Sequence, residues 1–162
     1  MRILIVDLPD AAATVRAGSA LAAALVGGMV VTLAGDLGAG KTTLVRGVLR
    51  ARGVAGPIKS PTYALVEHYP LSSIYFYHID FYRFNDPEEW ETSGLPECFR
   101  NDSVCLIEWP QRVAGRLPPA DVALTLAPAG DGRTLTARAA SAAGERCVAA
   151  IDHAFPAATP AT

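Results

Sequence analysis

The segment Gly35-Asp36-Leu37-Gly38-Ala39-Gly40-Lys41-Thr42 constrains this chain more than any other, because it fits G-x-x-x-x-G-K-[ST] in the setting that pattern requires. Before it runs Met29–Leu33, a brief apolar stretch bounded by glycines, which reads as a strand buried on both faces. After it, Thr42 to about Ala51 reads as a helix with Leu44, Val45, Val48 and Leu49 on one face and Gly53 beyond its end. The glycines let the backbone turn with several N–H groups aimed inward, and the helix start adds its positive dipole end to the same spot. Asp36, Leu37, Gly38, Ala39 and Gly40 therefore form an anion cradle. Lys41 reaches β- and γ-phosphate oxygens, the Thr42 hydroxyl can ligate Mg²⁺, and Thr43 is placed for the α-phosphate. The plain alternative is a glycine-rich turn with a chance lysine, and the strand before and helix after argue against it.

A phosphate cradle of this kind works with a carboxylate at the end of a neighbouring strand. Two acids qualify: Asp80 closes Tyr75-Phe76-Tyr77-His78-Ile79, and Glu108 closes Val104-Cys105-Leu106-Ile107. Either can hold Mg²⁺ while the other orients the attacking water. Asp80 capping a turn and Glu108 pairing with Arg112 are the structural alternatives. Ser60-Pro61-Thr62 follows the cradle helix, where its hydroxyls can answer to a γ-phosphate as a switch or form an ordinary turn. Guanine readers carry N-K-x-D. The one lysine outside the cradle, Lys59, follows Ile58, so ATP is the expected nucleotide. Arg83, Arg100, Arg112, Arg116 and Arg133 are scattered, which disfavours a small-molecule kinase with an arginine-dense lid. A nucleotide-sensing module without turnover is the remaining alternative.

The rest of the pattern predicts an α/β fold, a P-loop NTPase-like three-layer domain with a mostly parallel central sheet and antiparallel additions. Arg2–Val6 reads as a strand, and Asp10 caps a helix over Ala11–Leu25. Ala64–Tyr69 and Ser73–Asp80 read as a hairpin or adjacent strands, and Asn85-Asp86-Pro87 starts a short helix reaching Trp90. A further helical turn is expected near Pro96–Arg100, and Val122–Leu126 and Thr134–Arg138 flank a turn at Pro128–Gly132. The exposed-or-core choice for Tyr75, Tyr77, Phe81 and Tyr82 favours core for each ring. Residues 1–140 are expected to form the domain and 141–162 a C-terminal extension that is peripheral or partly disordered.

Charge and composition narrow the partners. Fourteen Lys plus Arg against 16 Asp plus Glu leave a net charge of −2, too little basic field for tight unaided binding to nucleic acid. No apolar run approaches the roughly 20 residues of a membrane span, and Asp7 interrupts the start too early for a signal-peptide core. Cys98, Cys105 and Cys147 show no C-x-x-C pairing, and no histidine has ligand-like spacing to them. Reduced thiols, no zinc and a cytoplasmic location are the expectation.

Four segments then occur in order: Gly35–Thr43, Ser60-Pro61-Thr62-Tyr63, His78-Ile79-Asp80-Phe81-Tyr82-Arg83 and Ile107-Glu108-Trp109-Pro110. Together they resemble the bacterial TsaE (YjeE) family, ATPases of tRNA threonylcarbamoyladenosine (t6A) biosynthesis, over about Thr14 to Arg133. The resemblance implies a P-loop fold and slow ATP hydrolysis, chiefly in complex with TsaB and TsaD. TsaD transfers the threonylcarbamoyl group to adenosine 37 of tRNAs reading codons that start with A, and ATP turnover drives or resets that complex. It also implies that Lys41 and Thr43 contact phosphates, that Thr42, Asp80 and Glu108 serve Mg²⁺, and that Ser60-Pro61-Thr62 is switch I. Trp109 would flank the metal site, Thr14 and Arg133 would lie near the nucleotide, and tRNA would be met only through the complex. Tyr63 stands where the family often has Phe.

Overall fold

The computed structural model describes residues 1–156. Strand β1 (Ile3–Leu8) leads into helix α1 (Ala11–Ala22), whose first turn is capped as expected, with Ala13 N donating to Asp10 Oδ1 at 2.8 Å. The helix stops three residues short of Leu25, because Ala24 and Leu25 bond back to Leu21 and Ala22 in a tighter turn ahead of Gly27-Gly28. Then come β2 (Val30–Ala34), α2 (Lys41–Ala51), β3 (Val66–Pro70) and β4 (Tyr75–Asp80). The short helix α3 (Glu89–Thr92) and a 3-10 turn over Leu95–Cys98 precede β5 (Ser103–Glu108). A 3-10 turn at Pro110–Val113, β6 (Val122–Ala129), β7 (Gly132–Ala139) and α4 (Ala142–Ala154) complete the described chain.

All seven strands form one sheet in the order β1-β7-β6-β2-β5-β4-β3. Its centre, β6-β2-β5-β4, is parallel, and β3, β7 and β1 pair antiparallel at the flanks. β5 is buried at every position, which explains its uninterrupted apolar run.

Helices α1, α2 and α4 cover one face, packing Leu21, Leu44, Val48 and Ile151 against Leu33, Leu106 and Leu124. Gly47 makes the α1–α2 contact possible: a Cβ there would stand 2.4 Å from the Val15 carbonyl oxygen. The other face carries a thinner layer in which Phe81, Phe84, Trp90 and Phe99 meet edge to face over Ile79 and Ile107. Phe81 is fully buried, while Tyr75, Tyr77 and Tyr82 are half-buried.

The boundary expected at residue 140 is corrected by α4. Ser141 caps this helix by accepting from Gly144 N at 3.0 Å, and Cys147, Val148 and Ile151 are fully buried against α1 and β7. The segment through Ala154 is therefore core and not a peripheral extension; residues 157–162 lie outside the described chain. Burial pushes the thiols of Cys105 and Cys147 up, to about 12 and about 11. No helix among the described residues is long and apolar enough to cross a membrane.

Candidate functional site

Three elements end at one place. In the parallel register, Leu33 of β2 lies beside Glu108 of β5, and Glu108 lies beside Asp80 of β4. The glycine-rich loop leaves β2 at this edge and enters α2 at Lys41, so the carboxyl ends of the central strands face the start of a helix. A cavity of about 350 Å³ opens there. It is lined by Leu37, Gly38, Gly40, Lys41, Thr42 and Thr43 from the loop and helix, and by Asp80, Glu108 and Trp109 from the strand ends. Ser60, Thr62 and Arg133 complete the rim, together with Tyr82, which sequence reasoning did not place there.

Gly40 sits at φ +105°, the left-handed region that favours glycine, and a Cβ on it would stand 2.0 Å from Arg133 Nη1. Arg133 explains the tightness: it reaches across from β7 and its Nη1 donates to the Ala39 carbonyl at 3.0 Å, while its buried Nε has no partner. Lys41 is 5% exposed and donates to the carbonyls of Gly35 and, at 3.0 Å, Asp36. Its ammonium lies 4.4 Å from the centre of the Trp109 ring. Trp109 holds φ +58°, unusual for a bulky residue, and this turn swings the indole from the end of β5 across Lys41. Burial pulls the Lys41 ammonium below its ordinary range, and Glu108, Asp80 and Asp36 oppose that pull.

The carboxylates are both nearly buried and differently held. Glu108 Oε2 accepts from the Thr42 hydroxyl at 3.0 Å and meets His78 Nε2 at 2.5 Å; no bond to Arg112 forms. Asp80 Oδ1 accepts from Tyr82 N at 2.8 Å, so it does cap a turn while facing the cavity, and Oδ2 accepts from Thr62 at 3.3 Å. Burial pushes the Asp80 carboxyl up, the Tyr82 bond opposes it, and the Glu108 charge adds to the rise. Ser60 and Thr62 share a hydroxyl hydrogen bond at 2.8 Å, and the Pro61 carbonyl accepts from Leu65 N. The Ser60–Thr62 loop is thus tied to a strand-end carboxylate through one hydroxyl.

Four expected residues do not line the cavity. Asp36 and Ala39 act through their carbonyls, on Lys41 and Arg133, and Pro61 supports the loop from behind. Thr14 is fully buried in the first turn of α1, its hydroxyl on the Asp10 carbonyl at 3.4 Å. His78 was not singled out from sequence, although its place two residues before Asp80 puts both on one face of β4. Tyr63 keeps a ring contact, with the Arg83 guanidinium 4.1 Å from its centre, yet is 85% exposed.

With this geometry in hand, comparison with known proteins is decisive. The family model described as threonylcarbamoyl adenosine biosynthesis protein TsaE matches residues 8–136. The chain belongs to the TsaE family. A TsaE relative from Haemophilus influenzae, described as a tRNA threonylcarbamoyladenosine biosynthesis protein, is 40% identical over 151 residues, covering 90% of this chain and 96% of its own. A Treponema pallidum protein of the same description is 39% identical over 119 residues, 74% of this chain and 87% of its own. The crystal structure of Bacillus subtilis YdiB superposes with a TM-score of 0.79 at 28% identity, covering 94% of this chain and 95% of that one. TsaE proteins serve tRNA t6A biosynthesis, and all four segments that carry the resemblance lie inside the matched span.

Proposed function

We propose that this protein is a P-loop ATPase of t6A biosynthesis, which binds ATP with Mg²⁺ at the Gly35–Thr43 loop and through its hydrolysis drives or resets a TsaB–TsaD transferase complex. One observation carries the reading: α2, β4 and β5 bring Lys41, Thr42, Asp80 and Glu108 to a single cavity at a helix start. A triphosphate calls for an anion nest, a positive charge and a carboxylate for its metal, and the glycine-rich loop, Lys41 and the two strand-end acids are groups of these kinds.

The donor set suits Mg²⁺. It offers a hydroxyl and two carboxylates, all hard oxygens, and Mg²⁺ sites use one or two carboxylates completed by substrate phosphates and water. That no group of three His, Cys, Asp or Glu side chains among the described residues is placed to hold a metal ion therefore does not weigh against it. When bound, Mg²⁺ neutralises charge on the β- and γ-phosphate oxygens. The loop amides and Lys41 bind the phosphates, Thr42 with Glu108 or Asp80 holds the metal, and the second carboxylate orients the attacking water. Arg133 braces the loop through Ala39. Ser60-Pro61-Thr62 answers to the γ-phosphate through its link to Asp80, and its order changes on hydrolysis.

The threonylcarbamoyl transfer belongs to TsaD, and tRNA is met only through the complex, in the cytoplasm. A net charge of −2 is in keeping with a partner supplying the basic surface. The test is ATP hydrolysis by the protein alone and with TsaB, TsaD and substrate tRNA. Turnover should be slow alone and stimulated by the pair, and Glu108→Gln should lower the stimulated rate roughly 100-fold or more while ATP still binds. No stimulation, or hydrolysis indifferent to Glu108, refutes the assignment; phosphate transfer to an added metabolite instead of water would make it a kinase.

A further inference from the structure

One buried titratable group beneath the site has no part in the function proposed above. His78 is fully buried, and in the register that sets Asp80 beside Glu108 it lies beside Leu106, one diagonal step from Glu108. Its Nε2 stands 2.5 Å from Glu108 Oε2, the same oxygen that accepts the Thr42 hydroxyl. Against an ionised Glu108, which can only accept, Nε2 is the donor of this contact. Nδ1 is buried with no partner, and a proton placed there would be a donor without an acceptor. On its own and the β5 side the register sets Phe76, Val104 and Leu106 about it, all apolar and fully or almost fully buried, while Glu67 of β3 stands opposite. An apolar side chain would fill this place without burying an unpaired nitrogen.

We propose that His78 is a positioning residue that fixes the Glu108 carboxylate for catalysis, an inference that rests on the ATPase reading. Two donors converge on Oε2, one from below the sheet edge and one from α2, so the carboxylate cannot rotate freely. Oε1 accepts no hydrogen bond among the described residues and is the oxygen left for metal or water. This is the supporting role that imidazole–carboxylate pairs play behind metal and water sites, where removing the supporting group costs about 10- to 100-fold. His78 never touches the nucleotide and acts through Glu108 alone.

Three measurements test it. In the protein without nucleotide, ¹H–¹⁵N correlation of the imidazole should show a protonated Nε2 and a bare Nδ1, with the Nε2 proton far downfield and shifted back in Glu108→Ala. His78→Ala should lower kcat about 10- to 100-fold with KM for ATP within about threefold, and His78→Gln, whose amide N–H can still donate, should recover most of the loss. In a Glu108→Ala background, His78→Ala should cost nothing further. A ring protonated at Nδ1 instead, turnover that survives His78→Ala, no rescue by Gln, or losses that add to those of Glu108→Ala overturns the positioning role. Should His78→Ala fail to fold, the imidazole spectrum and the Gln variant decide alone. A wild-type protein with no turnover even beside its partners overturns the ATPase reading, a result distinct from each of these.

Discussion

Replacing Lys41 by methionine separates a phosphate-binding lysine from a structural one, because the two readings predict opposite pairs of outcomes. The ammonium donates to the Gly35 and Asp36 carbonyls and lies 4.4 Å over the Trp109 ring. If those contacts existed to hold the loop, losing two hydrogen bonds to a charged donor would cost about 3 kcal/mol, or roughly 6–12 °C in Tm for a chain of this size. The surroundings argue otherwise. Burial already pulls the ammonium below its ordinary range, so its charged form is disfavoured in the folded protein, and Lys41 itself lines a cavity from which water can take the place of its ammonium. Methionine keeps the aliphatic stem and gives up only the charge over the Trp109 ring. The Tm of Lys41→Met without nucleotide should therefore stay within about 3 °C of wild type. ATP affinity should fall sharply: two charge-assisted bonds to phosphate oxygens, discounted for the carbonyl contacts given up, are worth about 3 kcal/mol, or roughly 150-fold in Kd. Thermal unfolding and calorimetric titration with Mg-ATP read the two numbers. A large drop in Tm with unchanged ATP affinity refutes the reasoning.

Asp80 makes a pH prediction. Its carboxyl is raised above the ordinary range by burial, so the ionised form costs folding stability above the raised value and the cost fades as pH falls toward the ordinary carboxylate range. Asp80→Asn should thus melt higher than wild type at neutral pH without nucleotide, with the difference vanishing on acidification; an unchanging difference contradicts it. Gly40→Ala forces a Cβ into the left-handed region and against Arg133, so it should cost about 1–3 kcal/mol in denaturant unfolding and weaken ATP binding. A neutral effect would mean the loop is not held as described. Ile151→Ala removes a fully buried side chain of α4 and should cost about 2–5 kcal/mol, whereas a loss below 1 kcal/mol would return the helix to the status of an appendage.

The loop, its flanking strand and helix, and the two strand-end acids were legible because each is local: glycines and a lysine at fixed spacing, or an apolar run that stops at a carboxylate. The Asn85-Asp86-Pro87 start and the hairpin around Gly130 were legible for the same reason, and the structure realises both with shifted ends. Long-range closure was not. Arg133 lies 94 residues from Ala39 and meets it only because β7 pairs with β1 and β6 at the far flank of the sheet. His78 looked like one more residue of an aromatic strand until the β4–β5 register set it beneath Glu108. Helix α4 was masked by its alanines: Cys147, Val148 and Ile151 form a stripe at helical spacing, but small residues around them weaken the contrast on which periodicity depends. Thr14, carried over by resemblance, is fully buried in α1's first turn with its hydroxyl on the Asp10 carbonyl.

A crystal grown with magnesium and a non-hydrolysable ATP analogue puts the matter to a single observation. Triphosphate density along the Gly35–Thr42 amides, with Lys41 on its outer phosphates and a metal within reach of Thr42 and one of Asp80 or Glu108, is the expected result. Density elsewhere, or a loop bare at saturating analogue, contradicts the assignment at its root.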